Sequence, residues 1–225
     1  MKYSALMLDS RPSLDVEPSA TLLLDSSRRH ANGTFVGSGK PDWIRLPSGL
    51  WVMRFNGSDA SISFTDSAYF DSILIGSFSF CSWLNFPQLS ATSMSIFRKR
   101  SGANGYAFYH DSSAYISLVT GNGSASAFTA ATTALKAGIW QFWLITLIKI
   151  SPFYAYIYCN GVDVTSSHGA HASIAIPNLA LYLGSTQGSA SFFRGDMALP
   201  RIWNRALSTT EILAIFNNER AWFGV

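Results

Sequence analysis

The chain has 225 residues, of which 48% are hydrophobic, 14% aromatic and only 13% charged, with a formal net charge of +3. That much apolar surface can outweigh the entropy of ordering the chain, which excludes intrinsic disorder, and the length suits one all-β domain, a class that commonly reaches about 200–250 residues. The weak positive charge excludes the electrostatic footprint of a nucleic-acid-binding protein, and the sparse charge implies a surface covered by a neighbouring subunit or kept soluble by Ser, Thr and Asn.

Residues 1–20 contain Pro12 and Pro18 and read as an arm or edge strand leading into a domain of residues 21–225. Lys2 precedes an apolar stretch, but Asp9 and Arg11 end it before the core of an export signal forms. Asn32-Gly33, Asn56-Gly57, Asn104-Gly105, Asn122-Gly123 and Asn160-Gly161 then mark hairpin turns, because Asn and Gly both tolerate positive φ. Between them lie short runs rich in β-branched and aromatic side chains: 51–55, 61–64, 77–86, 93–98, 106–110, 114–120, 140–150 and 153–159. In 77–86 the period is two. Phe78, Phe80, Leu84 and Phe86 share one face, while Ser79, Cys81, Trp83 and Asn85 share the other. Tyr154, Tyr156 and Tyr158 share a face in the same way.

Arg98-Lys99-Arg100 reads as a solvated strand end that discourages edge pairing, with an anion or subunit contact as the functional alternative. Residues 140–150 fall well short of the roughly 20 needed to cross a bilayer, and Lys149 interrupts them. They read as buried strand, and no membrane insertion is expected. His168 and His171 read as a solvated loop pair, and Cys81 and Cys159 as buried free thiols, with a bridge open only where their strands are neighbours of compatible geometry. After Leu207 a helix is predicted: Ser208 caps it, Glu211 completes a capping box, and Ile212, Leu213, Ile215 and Phe216 form an apolar stripe. Many short strands closed by one helix predict an antiparallel two-sheet sandwich.

Several motifs in this sequence resemble the laminin-G-like, concanavalin-A-like jelly-roll family. The closing block runs LYLGS, then FFRGDMALPRIWNRALS and the helix that follows. Earlier come Leu24-Asp25-Ser26-Ser27 with Asn32-Gly33-Thr34-Phe35, then MRFNGS at 53–58, SFSFCSWL at 77–84 and Tyr158-Cys159-Asn160-Gly161. The resemblance implies an all-β jelly roll with a short C-terminal helix. The opening stretch 3–12 is similar to the start of laminin-G-like proteins on tailed-phage particles, which implies a virion-surface protein assembled with other virion or self subunits. The family's late acidic pair, where an Asp can assist calcium binding, is replaced here by Ala198 and Leu199, with Asp196 nearby. Asp25 supplies one further carboxylate, too few for a calcium site by itself. No other cofactor is implied.

The resemblance also implies a binding function rather than an enzyme. Glycoside hydrolysis needs two flanking carboxylates, yet the chain has Glu only at 17, 211 and 219, with Glu211 assigned to the capping box. No Gly-x-Ser-x-Gly elbow precedes a helix. Arg194-Gly195-Asp196 spells an integrin-type tripeptide, but its Gly occupies the family's turn position. Sugar binding of the lectin kind calls for flat aromatics to stack on the ring and amides to fix hydroxyls. On that basis Trp83, Asn85, Tyr106, Tyr109 and Tyr158 are the expected carbohydrate-binding residues, with cell-surface or environmental glycans as partners. The competing readings are that these aromatics form a second core face or are covered by a subunit. In those cases the protein is a structural cement without a ligand; separately, the alternative to the virion setting is a cellular carbohydrate-binding adhesion domain.

Overall fold

A computed structural model describes residues 6–9, 18–66, 68–150, 153–167, 170–171 and 173–225. In chain order they form β1 (Leu6–Asp9), β2 (Leu22–Leu23), β3 (Gly33–Val36), β4 (Asp42–Arg45), β5 (Trp51–Asn56), β6 (Ser61–Phe64) and helix α1 (Ala68–Ile75). Then come β7 (Phe78–Asn85), β8 (Met94–Ser101), β9 (Asn104–His110), β10 (Tyr115–Asn122), β11 (Ser126–Ala134) and β12 (Gln141–Ile148). The chain closes with β13 (Phe153–Cys159), β14 (Val162–Asp163), β15 (Ala170–His171), β16 (Leu181–Leu183), β17 (Arg194–Trp203), helix α2 (Thr209–Glu219) and a 3-10 turn (Arg220–Phe223).

The pairings between these strands are antiparallel, and the strands divide into two sheets. One has the order β14-β13-β12-β7-β17-β5-β4, with β1 added beside β17 and β15 beside β13. The other runs β11-β10-β9-β8-β16-β6-β3-β2. This is the jelly-roll sandwich implied by the sequence. Its interior is built from alternate residues of facing strands: Phe80 of β7 stacks on Phe97 of β8 at 4.4 Å and 12°, and Phe78 meets Tyr106 of β9 at 5.3 Å. Offset ring pairs of this kind add to the burial of the rings themselves.

The first sheet is buried on both sides. Its outer face carries Val52, Cys81, Trp83, Phe142 and Leu144, and these pack against Ile212, Ile215, Phe216 and Phe223 of the closing helical segment. The helix starts where the sequence placed it: Ser208 accepts from the Glu211 amide, Glu211 reaches back to the Ser208 amide, and Arg205 grips the same carboxylate with bonds of 2.7 and 2.8 Å. Those contacts hold the Glu211 carboxyl down at about 2, the Arg205 hydrogen bond being the main cause. β17 bends at a bulge between Ala198 and Arg201, where Leu199 takes φ 51°. Its neighbour changes there from β5 to β1.

Four expectations need correcting. Helix α1, too short for helical periodicity to stand out, is not foreseen by the sequence; it brings Phe70 against Phe64 and Asp71 to 3.1 Å from Lys99. Lys99 is not at a solvated strand end. Strand alternation turns it inward, where it is fully buried and bonded to Asp66 and to the Leu179 carbonyl, since a buried ammonium must be paired. His171 is likewise buried, between Thr120 Oγ1 at 2.7 Å and Thr129 Oγ1 at 2.8 Å, and burial pushes its pKa down. Its expected companion His168 lies outside the described residues. Finally, Asn32-Gly33 and Asn104-Gly105 are not hairpin tips but run into or open strands β3 and β9. Asn160-Gly161, with φ of 52° and 83°, does form the tight turn between β13 and β14.

Cys81 and Cys159 are both buried and are not joined in a disulfide. They lie on opposite sides of the first sheet, Cys81 in the helix-side cluster and Cys159 in the sandwich core, with β12 between their strands. Burial pushes the Cys159 thiol up to about 11.

Candidate functional site

The five expected sugar-binding residues are not brought together. Trp83 is fully buried under α2: its ring stacks on Phe223 at 4.1 Å, and its indole N–H donates to Glu219 Oε2 at 2.9 Å. Glu219 in turn holds the buried Arg201 guanidinium at 2.6 and 2.7 Å. This Trp83–Glu219–Arg201 clamp fixes the helix, and no sugar ring can reach the indole. Tyr158 is buried in the same layer, with its phenol pushed up to about 12 by burial. Tyr106 is fully buried in the sandwich core. Asn85 ends β7 half-buried, in register with Asp196 on the first sheet, and its side-chain oxygen is shielded without a hydrogen-bond partner. Tyr109, in contrast, lines an accessible hollow.

That hollow, of about 170 Å³, lies on the outer face of the second sheet and is lined in part by Ser95, Arg98, Arg100, Tyr109, Val119 and Phe128. Strand register builds it. Arg98 of β8 pairs with Ala107 of β9, Ala107 with Val119 of β10, and Val119 with Phe128 of β11, which makes one row across four strands. Neighbouring strands lie about 4.8 Å apart, so the row is roughly 14 Å wide. On one side runs the row Ser95, Tyr109, Ser117 and Ala130; on the other run Arg100, Gly105, Gly121 and Ser126.

Small residues make the floor. With no side chain on Gly105 or Gly121, Arg100 extends over both to donate from Nη2 to Ser126 Oγ at 2.7 Å. A side chain at Gly121 is ruled out by the Ala103 carbonyl, only 2.0 Å from where its Cβ would sit. The loop after β16 closes one side, through Ser191 O accepting from the Ser95 amide at 2.8 Å and Gln187 donating to the Arg100 carbonyl at 3.0 Å. Phe128, 60% exposed, stands at the far edge.

Electrostatically the hollow is one-sided. Arg98 is half-buried, and no described residue accepts a hydrogen bond from it; the Nε atoms of both Arg98 and Arg100 are shielded from solvent without a partner. Burial first, and then the like charge of Arg100, lowers the Arg98 pKa. The nearest acid in sequence, Asp111, is spent on the Ser113 and Tyr115 amides and the Ser117 hydroxyl, at 2.9–3.0 Å. Two partly desolvated cations therefore face a hollow whose lining residues include no carboxylate.

Several polar groups elsewhere are already committed. A larger hollow of about 590 Å³ lies beside Asp42, Trp43 and Asn56. There Trp43 donates to Ser19 O, and the Asn56 amide is tied to Gly39, Ser58, Asp59 and Ala60. Asp25 accepts from the Ser27 amide, the Ser27 hydroxyl and the Ala31 amide at 2.7–2.8 Å, so the Asp-Ser-Ser motif closes its own loop. Asp196 is engaged by Arg54 at 2.7 and 3.1 Å, and the Arg-Gly-Asp tripeptide runs along β17 as strand. No group of three or more His, Cys, Asp or Glu side chains able to hold a metal occurs among the described residues.

A family model described as the Concanavalin A-like lectin/glucanases superfamily, of laminin-G type, matches residues 56–213. The chain belongs to this superfamily. No curated protein sequence matches it. Among solved structures, it is similar to the binding domain of Paraclostridial Mosquitocidal Protein 1, with a TM-score of 0.75 and 14% identity over 96% of this chain and 52% of that one. A botulinum neurotoxin type C structure, described as dependent for cell entry on two ganglioside molecules, gives a TM-score of 0.71 and 13% identity over 96% of this chain and 51% of that one. A Trypanosoma rangeli sialidase gives 0.65 and 13%, over 96% of this chain and 32% of that one. The chain thus spans about half of the toxin chains, and at such identities the likeness is one of fold.

Proposed function

We propose that this chain is a non-enzymatic glycan-binding module whose site is the outer face of the second sheet. The observation that carries this reading is the hollow at Arg98, Arg100, Tyr109 and Phe128: flat rings at its edges, hydroxyls beside them, and an Arg98 guanidinium with no acceptor among the described residues. Concave sites with a few convergent polar groups and perturbed ionisable residues are where ligands bind. The lining supports binding rather than hydrolysis, because it contains no pair of carboxylates to act as acid and base. Glu211 and Glu219 are both engaged by arginines at the helix. The neighbours whose descriptions speak of gangliosides or of a sialidase are compatible with a sugar as the ligand class.

Residues 21–225 form the binding domain in this reading, and 1–20 an arm or edge strand leading into it. The likeness of stretch 3–12 to the start of phage particle proteins supports display on a virion surface, beside other virion or self subunits. There many copies multiply a modest affinity into useful avidity. A glycan array probed with the multimerised chain tests the binding claim: sugars are retained by the wild type and lost when Tyr109 and Phe128 are both replaced by Ser. No retention of any sugar at millimolar concentration contradicts it. Mass spectrometry of purified particles tests the display claim, which fails if the chain is missing from them.

A further inference from the structure

We propose that the Arg98/Arg100 hollow takes the carboxylate of an acidic sugar, a uronic or sialic acid residue, as its anchoring group; this deepens the glycan-binding reading and rests on it. Both guanidiniums project from one strand onto one face, two residues apart, so their charges repel across a half-desolvated space. Holding a cation there without an acceptor lowers stability, and arrangements of that kind are kept where a ligand supplies the missing partner.

A planar carboxylate is matched by the guanidinium fork, which donates two parallel N–H bonds, whereas a lysine would offer only a point charge. Arg100 is already oriented by Ser126, which leaves for the ligand the terminal nitrogens of Arg98, bonded to no described residue, while both Nε atoms stay shielded. The apolar face of a pyranose ring anchored there meets Phe128 and Val119 on one side and Tyr109 on the other. A polyanion such as nucleic acid is a poorer match, because the positive charge stops at these two side chains and the rest of the lining is hydroxyl, methionine, valine and aromatic.

The test is calorimetric titration of the whole chain with N-acetylneuraminic acid, glucuronic acid, the carboxamide of each, and lactose. We expect both acids to bind and the amides to bind at least about tenfold more weakly, the usual cost of losing charge-assisted bonds. Arg98→Gln should show the same loss for the acids and leave the melting temperature unchanged or raised, since it removes an unpaired charge. Arg98→Lys should recover only part of the affinity. Equal binding of acids and amides, or full acid binding by Arg98→Gln, overturns the carboxylate assignment and leaves a glycan site of another kind. No binding of any sugar overturns this assignment and the glycan-binding reading together. The amide comparison uses only the wild-type chain, so it decides the question even if a substitution fails to fold.

Discussion

The two outer faces of this sandwich have similar ingredients and opposite fates. On the first sheet Trp83, Tyr158 and Arg201 lie under α2, with Arg201 neutralised by Glu219 and the indole N–H satisfied. On the second sheet Tyr109, Phe128 and Arg98 line an open hollow, and no acid among the described residues pairs with Arg98. A covered face must satisfy every polar group internally, whereas an uncovered one can leave donors for a ligand. Whether an aromatic-and-arginine face belongs to the core or to a site is therefore decided by what packs on it.

The sharpest way to break this contrast is to substitute one arginine on each face. Arg201→Gln strands the Glu219 carboxylate in a buried layer, and breaking a buried pair costs about 3–5 kcal/mol. Arg98→Gln should cost nothing. Urea unfolding of both variants reads the difference, and equal losses would erase the distinction between the faces. Trp83→Ala, which empties the space between Phe142, Phe216 and Phe223, is expected to cost a similar 3–5 kcal/mol or so, while sugar affinity per folded molecule stays unchanged.

A smaller effect is expected at the start of the helix, where Ser208→Ala should lose about 1 kcal/mol of stability. The Glu211 carboxyl is lowered from an ordinary 4.5 to about 2 in the folded chain, chiefly by Arg205. Its contribution is therefore complete above about pH 4.5 and is lost as the pH falls towards 2. Acid titration of Arg205→Gln should show a flatter decline over that window than the wild type, and superimposable curves would contradict the assignment. Smallest of all, Phe128→Ser should change stability by no more than about 0.5 kcal/mol, as at any exposed position, yet weaken sugar binding measurably.

How much of this was legible in the sequence depends on the range of the interaction. The alternation in 77–86 and the Ser208–Glu211 capping box are local, and they fix the sandwich and its closing helix. The covering of Trp83 is not local. The apolar stripe of Ile212, Ile215 and Phe216 had to land somewhere, and the Cys81–Trp83 face is where it lands. Parity alone could have corrected two readings. Tyr106 and Tyr109 are three apart on one strand and so face opposite ways, as do Lys99 and its two arginine neighbours. The Asp66–Lys99–Asp71 cluster joins a loop, a strand and a short helix, and no local pattern announces it. In the sequence Gly105 carries a turn signal and Gly121 no local signal, because the meaning of both lies in cross-strand register.

The most direct test of the account is to map the ligand by NMR, titrating the isotopically labelled chain with an acidic disaccharide. The account predicts shifts confined to Arg98, Arg100, Tyr109, Val119 and Phe128, with Trp83 and Tyr158 unmoved. Shifts centred on Trp83, Tyr158 and α2, with the second sheet silent, would contradict it.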